Sequence, residues 1–277
     1  MAYYATPSTE SALILRDAAE TLSITVYSGE TATDATTGTP TIEIVDEAGT
    51  TVVASTATTS AGSGVYTYDL AGQSDLKRLT ATWSGTWGSA MSFTTQHEIV
   101  GGFLTTPAEV RAMDSIDGET AAYPLADIVQ AITWATEIID NYCGSSFVYR
   151  YERDVLDGNN RSSIQLTKMY PQKVIAGSIG GVALTAQQIT DLNKYKSGEI
   201  VLKDDIWEYN NPGGQVIIEY EYGRAKTPPP DIAWACRTLA RYWLIEQNSR
   251  IPSNALSVSN EFGNVSLSQP GMNKPSE

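Results

Sequence analysis

His97 is the one histidine of the 277-residue chain, and it limits the reactions open to this protein. A zinc site needs several His, Cys or carboxylate ligands at suitable spacing, and a Ser–His triad needs a histidine oriented by an acid. No cysteine lies near His97 in sequence, so neither centre is expected. The two cysteines, Cys143 and Cys236, are far apart and fall in predicted helices. They read as small buried apolar residues of a reducing compartment, with a disulfide between packed helices left open. Gly177-Ser178-Ile179-Gly180-Gly181 is glycine-rich but lacks the following Lys-Ser/Thr and opens no helix, so it predicts a strand–turn–strand bend rather than a phosphate cradle. Asp114-Ser115-Ile116-Asp117-Gly118-Glu119 has the look of a cation loop without the alternating ligands and distal glutamate that calcium requires, and reads as an exposed interhelix loop. Asp204-Asp205 reads as a turn. Trp83 and Trp87 are assigned to packing rather than to a sugar platform. No catalytic, cofactor or metal residues emerge.

The elements that carry these residues change character along the chain. Up to about residue 100 the pattern is all-β. Thr21–Tyr27 alternates Leu22, Ile24 and Val26 with polar residues, the signature of a half-buried strand. Thr41–Asp46 and Thr50–Ala54 flank Glu47-Ala48-Gly49 as a hairpin. Leu13–Leu15, Val65–Leu70, Leu79–Trp83 and Ala90–Thr95 bring the total to about seven short strands, which predicts an antiparallel, immunoglobulin-like sandwich over residues 1–100. Neither cysteine lies in it, so the antibody-type disulfide is excluded.

Beyond the glycine pair Gly101-Gly102 the chemistry shifts to α+β over residues 101–250. Thr106-Pro107-Ala108-Glu109 is a capping box with proline at the first helical position. Pro124 starts a longer helix in which Ile128, Ala131, Ile132, Ala135, Ile138, Ile139 and Tyr142 recur at three and four residues, predicting one apolar face, with Gly144 as the C-cap. A strand-rich insert follows. Asp157-Gly158-Asn159-Asn160 reads as a hairpin turn, and Val216–Tyr222 as the clearest strand. A last helix opens at Pro230-Asp231-Ile232 and carries Ile232, Ala235/Cys236, Leu239, Tyr242/Trp243 and Glu246 along one, apolar side. Helices packed on a small sheet are expected. Residues 251–277 are rich in Ser, Asn, Gly and Pro, with Ser257–Ser259 and Val265–Leu267 as a possible small hairpin that would order only by docking; a frayed terminus and a tail packed on its own subunit are the alternatives.

The formal net charge is −14, from 32 acidic and 18 basic side chains. Duplex binding rests on Lys and Arg neutralising phosphates, so tight DNA binding is not expected. A negative surface is compatible with a conduit that DNA passes without sticking, and equally with the charge that keeps a protein soluble. No apolar run approaches the length that spans a bilayer, and Met1-Ala2-Tyr3-Tyr4 lacks the basic and apolar pattern of a secretory signal.

The order and spacing of the segments in Leu104–Gly271 resemble the head–tail connector, or head-completion adaptor, proteins of tailed bacteriophages and gene transfer agents. Leu104–Val110 is similar to their opening helix, and Ala135 through Ile139-Asp140-Asn141-Tyr142-Cys143-Gly144 to their long helix and its stop. Tyr170-Pro171, Val174, Ile179, Trp207 and Val216–Gly223 are similar to their strand insert. Pro230-Asp231-Ile232 with Ala235 resembles the closing helix, and Ser257–Pro270 the tail. The N-terminal sandwich is not part of the minimal family and looks like an added decoration domain. The resemblance implies a virion protein assembled in the host cytoplasm, without enzymatic activity or cofactor, forming a ring of about a dozen copies. That ring would sit beneath the portal protein, join it to a downstream neck or tail-completion protein, and line the channel for passing double-stranded DNA, with no membrane partner. Val258, Phe262 and Leu267 are the expected apolar anchors of portal docking, and Trp207 and Trp243 the expected ring-packing residues. The rival expectation is a host-surface or carbohydrate-binding adhesion module built on the sandwich.

Overall fold

The computed structural model describes residues 3–7, 13–114, 116–203, 205–208 and 215–248, and two short strands, Ser257–Asn260 and Gly263–Ser266. Among the described residues the first half contains ten strands: β1 (Tyr3–Pro7), β2 (Leu13–Leu15), β3 (Glu20–Ser28), β4 (Thr31–Ala32), β5 (Thr37–Asp46), β6 (Thr51–Ala57), β7 (Thr59–Gly62), β8 (Val65–Leu70), β9 (Arg78–Trp87) and β10 (Ser89–Val100). They form two five-stranded sheets, one ordered β1-β3-β8-β7 with β4 on β3, the other β2-β10-β9-β5-β6. All pairings are antiparallel except β2 with β10.

Alternation along the strands sends one set of side chains inward from each sheet. Leu22, Ile24 and Val26 of β3 and Tyr66 and Leu70 of β8 share a core with Ile42 and Ile44 of β5 and Leu79, Ala81, Trp83 and Trp87 of β9. Trp83 and Trp87 are wholly buried, so neither is a surface platform. The Trp83 indole N–H donates to the Thr95 hydroxyl at 3.2 Å. Leu13–Leu15 and Val65–Leu70 fall at the bounds read from the sequence, while β1, β4 and β7 are additional. β7, with the pattern Thr-Ser-Ala-Gly, buries no side chain, so it carries no hydrophobic alternation to read.

The second half opens with α1 (Pro107–Arg111), whose N-cap Thr106 and Glu109 form the reciprocal capping box. Next is α2 (Leu125–Cys143), closed by Gly144 in the left-handed conformation. These helices share a core with α4 (Pro230–Asn248), built from Val110, Ile128, Ala131, Ala135, Ile139, Cys236, Ala240 and Leu244. The apolar face of α2 is narrower than its sequence suggests: Ile138 and Tyr142 are exposed, and Thr136 is buried instead.

Between α2 and α4 lie β11 (Arg150–Asp157), β12 (Ser163–Gln165), β13 (Pro171–Ile179), β14 (Val182–Ala183), α3 (Ala186–Asp191), β15 (Asn193–Lys194), β16 (Glu199–Val201) and β17 (Gln215–Tyr222). One sheet runs β11-β17-β13-β14 and a smaller one β12-β16-β15. Asp157–Asn160 is not a hairpin turn, because β11 and β12 belong to different sheets. The backbone N–H groups of Asn159 and Asn160 donate instead to the Trp207 carbonyl, at 3.0 and 2.8 Å. A Cβ on Gly158 would fall 1.8 Å from the Glu208 carbonyl oxygen, so only glycine lets the two backbones meet. Trp207 itself is wholly buried in a third core with Ile164, Leu166, Ile200, Leu202, Val216 and Ile218. Farther on, β18 (Ser257–Asn260) and β19 (Gly263–Ser266) pair antiparallel, with Val258 opposite Val265. Among the described residues no helix is long and apolar enough to cross a membrane.

Candidate functional site

The residues whose types could do chemistry are occupied with structure. His97 is buried on β10, its Nε2 3.0 Å from the Thr95 hydroxyl, and burial holds its pKa below the ordinary histidine range. Cys236 lies buried on α4 with its sulfur 3.7 Å from the Thr136 hydroxyl, and burial pushes its thiol up to about 11. Neither cysteine is in a disulfide. The Gly177–Gly181 stretch is the β13–β14 hairpin, with Gly180 and Gly181 at positive φ. Around the expected interhelix loop, Ile116 and Asp117 donate their backbone N–H to the Met113 carbonyl, while Ser115 lies outside the described residues. Asp204 also lies outside them; Asp205 accepts from the Gln188 side chain at 3.2 Å. Among the described residues no three His, Cys, Asp or Glu side chains are grouped to hold a metal.

What the fold concentrates is charge at the joint between its halves. Glu98 near the end of β10 meets Arg150 at the start of β11 through two hydrogen bonds, Nε to Oε1 at 2.7 Å and Nη2 to Oε2 at 2.8 Å. Both side chains are largely buried. Arg78 on β9 reaches Glu152 at 3.2 and 3.3 Å and Glu47 at 3.4 Å. Arg16 and the buried Glu221 form an ion pair at 2.6 Å, and Lys173 donates to Asp75 at 2.9 Å. The Lys173 ammonium holds the Asp75 carboxyl below its ordinary pKa. Asp140, near the end of α2, has one carboxylate oxygen buried without a hydrogen-bond partner. Burial raises its pKa to about 6, partly opposed by the Arg150 charge and a hydrogen bond from Ser146.

The backbone closes the same joint. The Gly101 N–H donates to the Tyr149 carbonyl at 2.8 Å. A Cβ on Gly101 would stand 2.7 Å from Tyr149 Cβ, and one on Gly102 2.7 Å from the Lys226 carbonyl oxygen. The glycine pair thus serves close packing rather than freedom. Tyr151 of β11 completes the core of the first half, with Tyr149 and Ile175 packed against it. This arrangement holds two parts as one body. Most of its charges are paired with one another, with Asp140 the exception.

The remaining candidate is surface. Tyr142 is 91% exposed, Trp234 59% and Tyr242 58%. On α2, Glu137, Ile138, Asn141 and Tyr142 form one exposed patch. On α4, Trp234, Thr238 and Tyr242 follow one another at four-residue spacing on the side opposite Cys236, Ala240 and Leu244. Beside Trp234 an open depression of about 510 Å³ is lined by Glu109, Met113, Asp114, Arg237, Thr238 and Arg241. Sequence spacing puts Tyr142 and Tyr242 on the apolar sides of their helices and gives no signal at Trp234, but both tyrosines are exposed because no neighbouring element covers them there. Of the expected ring-packing residues, Trp243 is half-buried against the helical core and Trp207 is enclosed, with no surface to offer. Of the expected docking residues, Val258 lies in β18, and Phe262 and Leu267 lie outside the described residues.

Comparison with known proteins adds one family and several structures. A family model described as head completion protein matches residues 103–254. No curated protein matches the chain. A chain from the neck of an empty gene transfer agent particle, computed with C6 symmetry, is 18% identical over 50% of this chain and 76% of its own, with a TM-score of 0.41. A chain from the virion of a native gene transfer agent particle is 17% identical over 57% of this chain and 83% of its own, with a TM-score of 0.42.

Proposed function

This chain belongs to the head completion protein family, matched over residues 103–254, and from that premise we propose that it is a ring-forming component of a virion neck. In this reading about a dozen copies sit beneath the portal, join it to a downstream neck or tail-completion protein, and line the channel through which DNA leaves the head. The observation that carries the reading is the family match, which spans all three helices of the helical core. The net charge of −14 is consistent with DNA passing without capture. No reaction is assigned.

The two facing sheets of the first half form, in this proposal, an immunoglobulin-like decoration domain over residues 1–100, carried on the outer rim. The ion pairs at the joint would keep it fixed to the ring-forming part. The rival reading as a carbohydrate-binding module loses its two candidate platforms, since Trp83 and Trp87 are wholly buried. Ring packing falls to Trp243 and the exposed helix faces, because the enclosed Trp207 acts only from within.

Residues 251–277 form the docking tail, with Val258, Phe262 and Leu267 as its apolar contacts with the portal. A tail of this composition would order on assembly, offsetting its entropy cost only when a partner is present. Removing residues 251–277 is expected to leave the three cores folded and to abolish attachment to portal-bearing heads. Attachment at the level of the full chain would overturn the docking role.

A further inference from the structure

We propose that the outer face of the small sheet β12-β16-β15 is a weak, sequence-independent binding surface for the phosphate backbone of duplex DNA. The inference deepens the neck reading, on which it rests, by naming the surface that meets the passing DNA.

Charge is unevenly placed along this chain. Residues 161–203 carry six basic side chains and two acidic ones, Asp191 and Glu199, while the rest of the chain carries twelve basic and thirty acidic. Two of the six are engaged elsewhere, Lys173 with Asp75 and Lys168 with Glu152. The other four, Arg161, Lys194, Lys196 and Lys203, are exposed, and among the described residues none of them is in an ion pair.

Strand register gathers the four on one small sheet. Ile164, Leu166, Ile200 and Leu202 point into the third core, so the alternate positions point out. Ser163 and Asn193 both stand opposite Val201, and Gln165 stands opposite Glu199. The Leu202 N–H donates to the Ser162 carbonyl at 2.8 Å, and one step further the same register sets Arg161 beside Lys203. At the other end Lys194 closes β15, and Lys196 sits in the turn where the Gly198 N–H donates to the Tyr195 carbonyl at 3.0 Å. Tyr195, between the two lysines, is 51% exposed.

Nothing described in the chain offsets these cations. Like charges set opposite one another destabilise a sheet. The neighbouring carboxylates are turned to other partners: Asp191 accepts from the Gln187 side chain, and Asp205 accepts from the Gln188 side chain and the Ile206 N–H. Glu199 stands on the face without an ion pair to any described residue. An anionic partner therefore removes a repulsion that the fold leaves in place.

Phosphate fits this face better than a protein does. The centre of a protein interface is poor in charge and built on aromatic and aliphatic anchors. Here Arg and Lys stand with Ser163, Asn193 and the Tyr195 hydroxyl, the side-chain types that hold phosphate oxygens, and Val201 is half-buried. The acidic remainder of the chain opposes binding, so the contact is weak and screened by salt, and DNA is guided rather than captured.

The test is fluorescence anisotropy of a labelled duplex of about 30 base pairs titrated with the full chain, from about 50 to about 200 mM salt. Four phosphate contacts predict a slope of log affinity against log salt of about −3.6, a loss of roughly a hundredfold across that range. Lys194→Gln/Lys203→Gln should weaken binding at low salt at least tenfold and make the slope shallower by about 2, with the melting temperature unchanged. Lys77→Gln/Lys226→Gln removes the same charge away from this sheet and should weaken binding less than threefold. No binding of the wild-type chain at about 0.1 mM and low salt, equal losses from the two variants, or polyglutamate bound as tightly as the duplex would overturn the proposal. Particles assembled with Lys194→Gln/Lys203→Gln should hold as many copies as wild-type particles, because the patch meets DNA and not protein. Fewer copies would overturn the proposal too, whereas wild-type particles that lack the chain would instead sink the neck reading.

Discussion

Replacing Arg150 with methionine should destabilise the protein by about 3–5 kcal/mol, the range for breaking a buried ion pair from one side. The guanidinium makes two short hydrogen bonds to Glu98, and both side chains are largely shielded from water. Burial disfavours the arginine charge, yet the Glu98 hydrogen bonds and charge outweigh it and hold its pKa above the ordinary value. Arg150 also favours ionisation of Asp140, whose carboxyl is already raised to about 6, chiefly by burial. Without the cation, two buried carboxylates stand uncompensated. A carboxyl whose folded-state pKa is raised costs stability when ionised, and that cost fades as pH falls through the folded value toward the unfolded one. The deficit of Arg150→Met should therefore be larger at pH 8 than at pH 5. Urea unfolding at both values measures it. Adding Glu98→Met should recover part of the loss, because a buried pair replaced on both sides leaves no orphan charge. A loss below about 1 kcal/mol, independent of pH, would place the contact among exposed surface pairs and remove it as the fastening of the two halves.

Trp207→Ala should cost a similar amount, about 3–5 kcal/mol, through the cavity it leaves. The indole fills the space between the β12-β16-β15 sheet and the larger sheet that contains β17. The Trp207 backbone at the same point binds the Asn159 and Asn160 N–H groups and donates to the Arg161 carbonyl at 2.8 Å. Collapse of the side chain would thus loosen the exit of β11 as well. Trp207→Phe should be milder, since it also removes an indole N–H that is buried without a partner. Gly158→Ala should behave like the alanine variant at Trp207, because its Cβ meets backbone rather than a movable side chain. Denaturant midpoints near wild type for both Trp207→Ala and Gly158→Ala would show that this cluster does not hold the insert together.

Much of the framework was legible because its signals are local. The alternation in Thr21–Tyr27, the Thr106/Glu109 capping box and the stop at Gly144 each act within a few residues, and each lies in the structure where the sequence put it. The Asp157–Asn160 turn was misread for the opposite reason. Its turn chemistry is real, but its partner is the backbone around Trp207 and Glu208, some fifty residues away. Helix α3 carries the same kind of capping box, Thr185 with Gln188, but spans six residues and buries none of them, so it shows no periodicity. Tyr142 continues the three–four spacing of α2 past the point where a neighbour covers it, and spacing alone cannot tell a buried turn from a bare one. The joint was invisible for the reason the turn was. Glu98 and Arg150 are 52 residues apart, and nothing local marks them as a pair.

The central claim is that this chain is a permanent structural part of the virion neck. The direct measurement is a density map of finished particles, made without imposed symmetry at first, into which the three cores can be placed. The account predicts density for many copies between portal and tail, with the β-rich half outward. Finished particles in which the neck contains no density for this chain would contradict it.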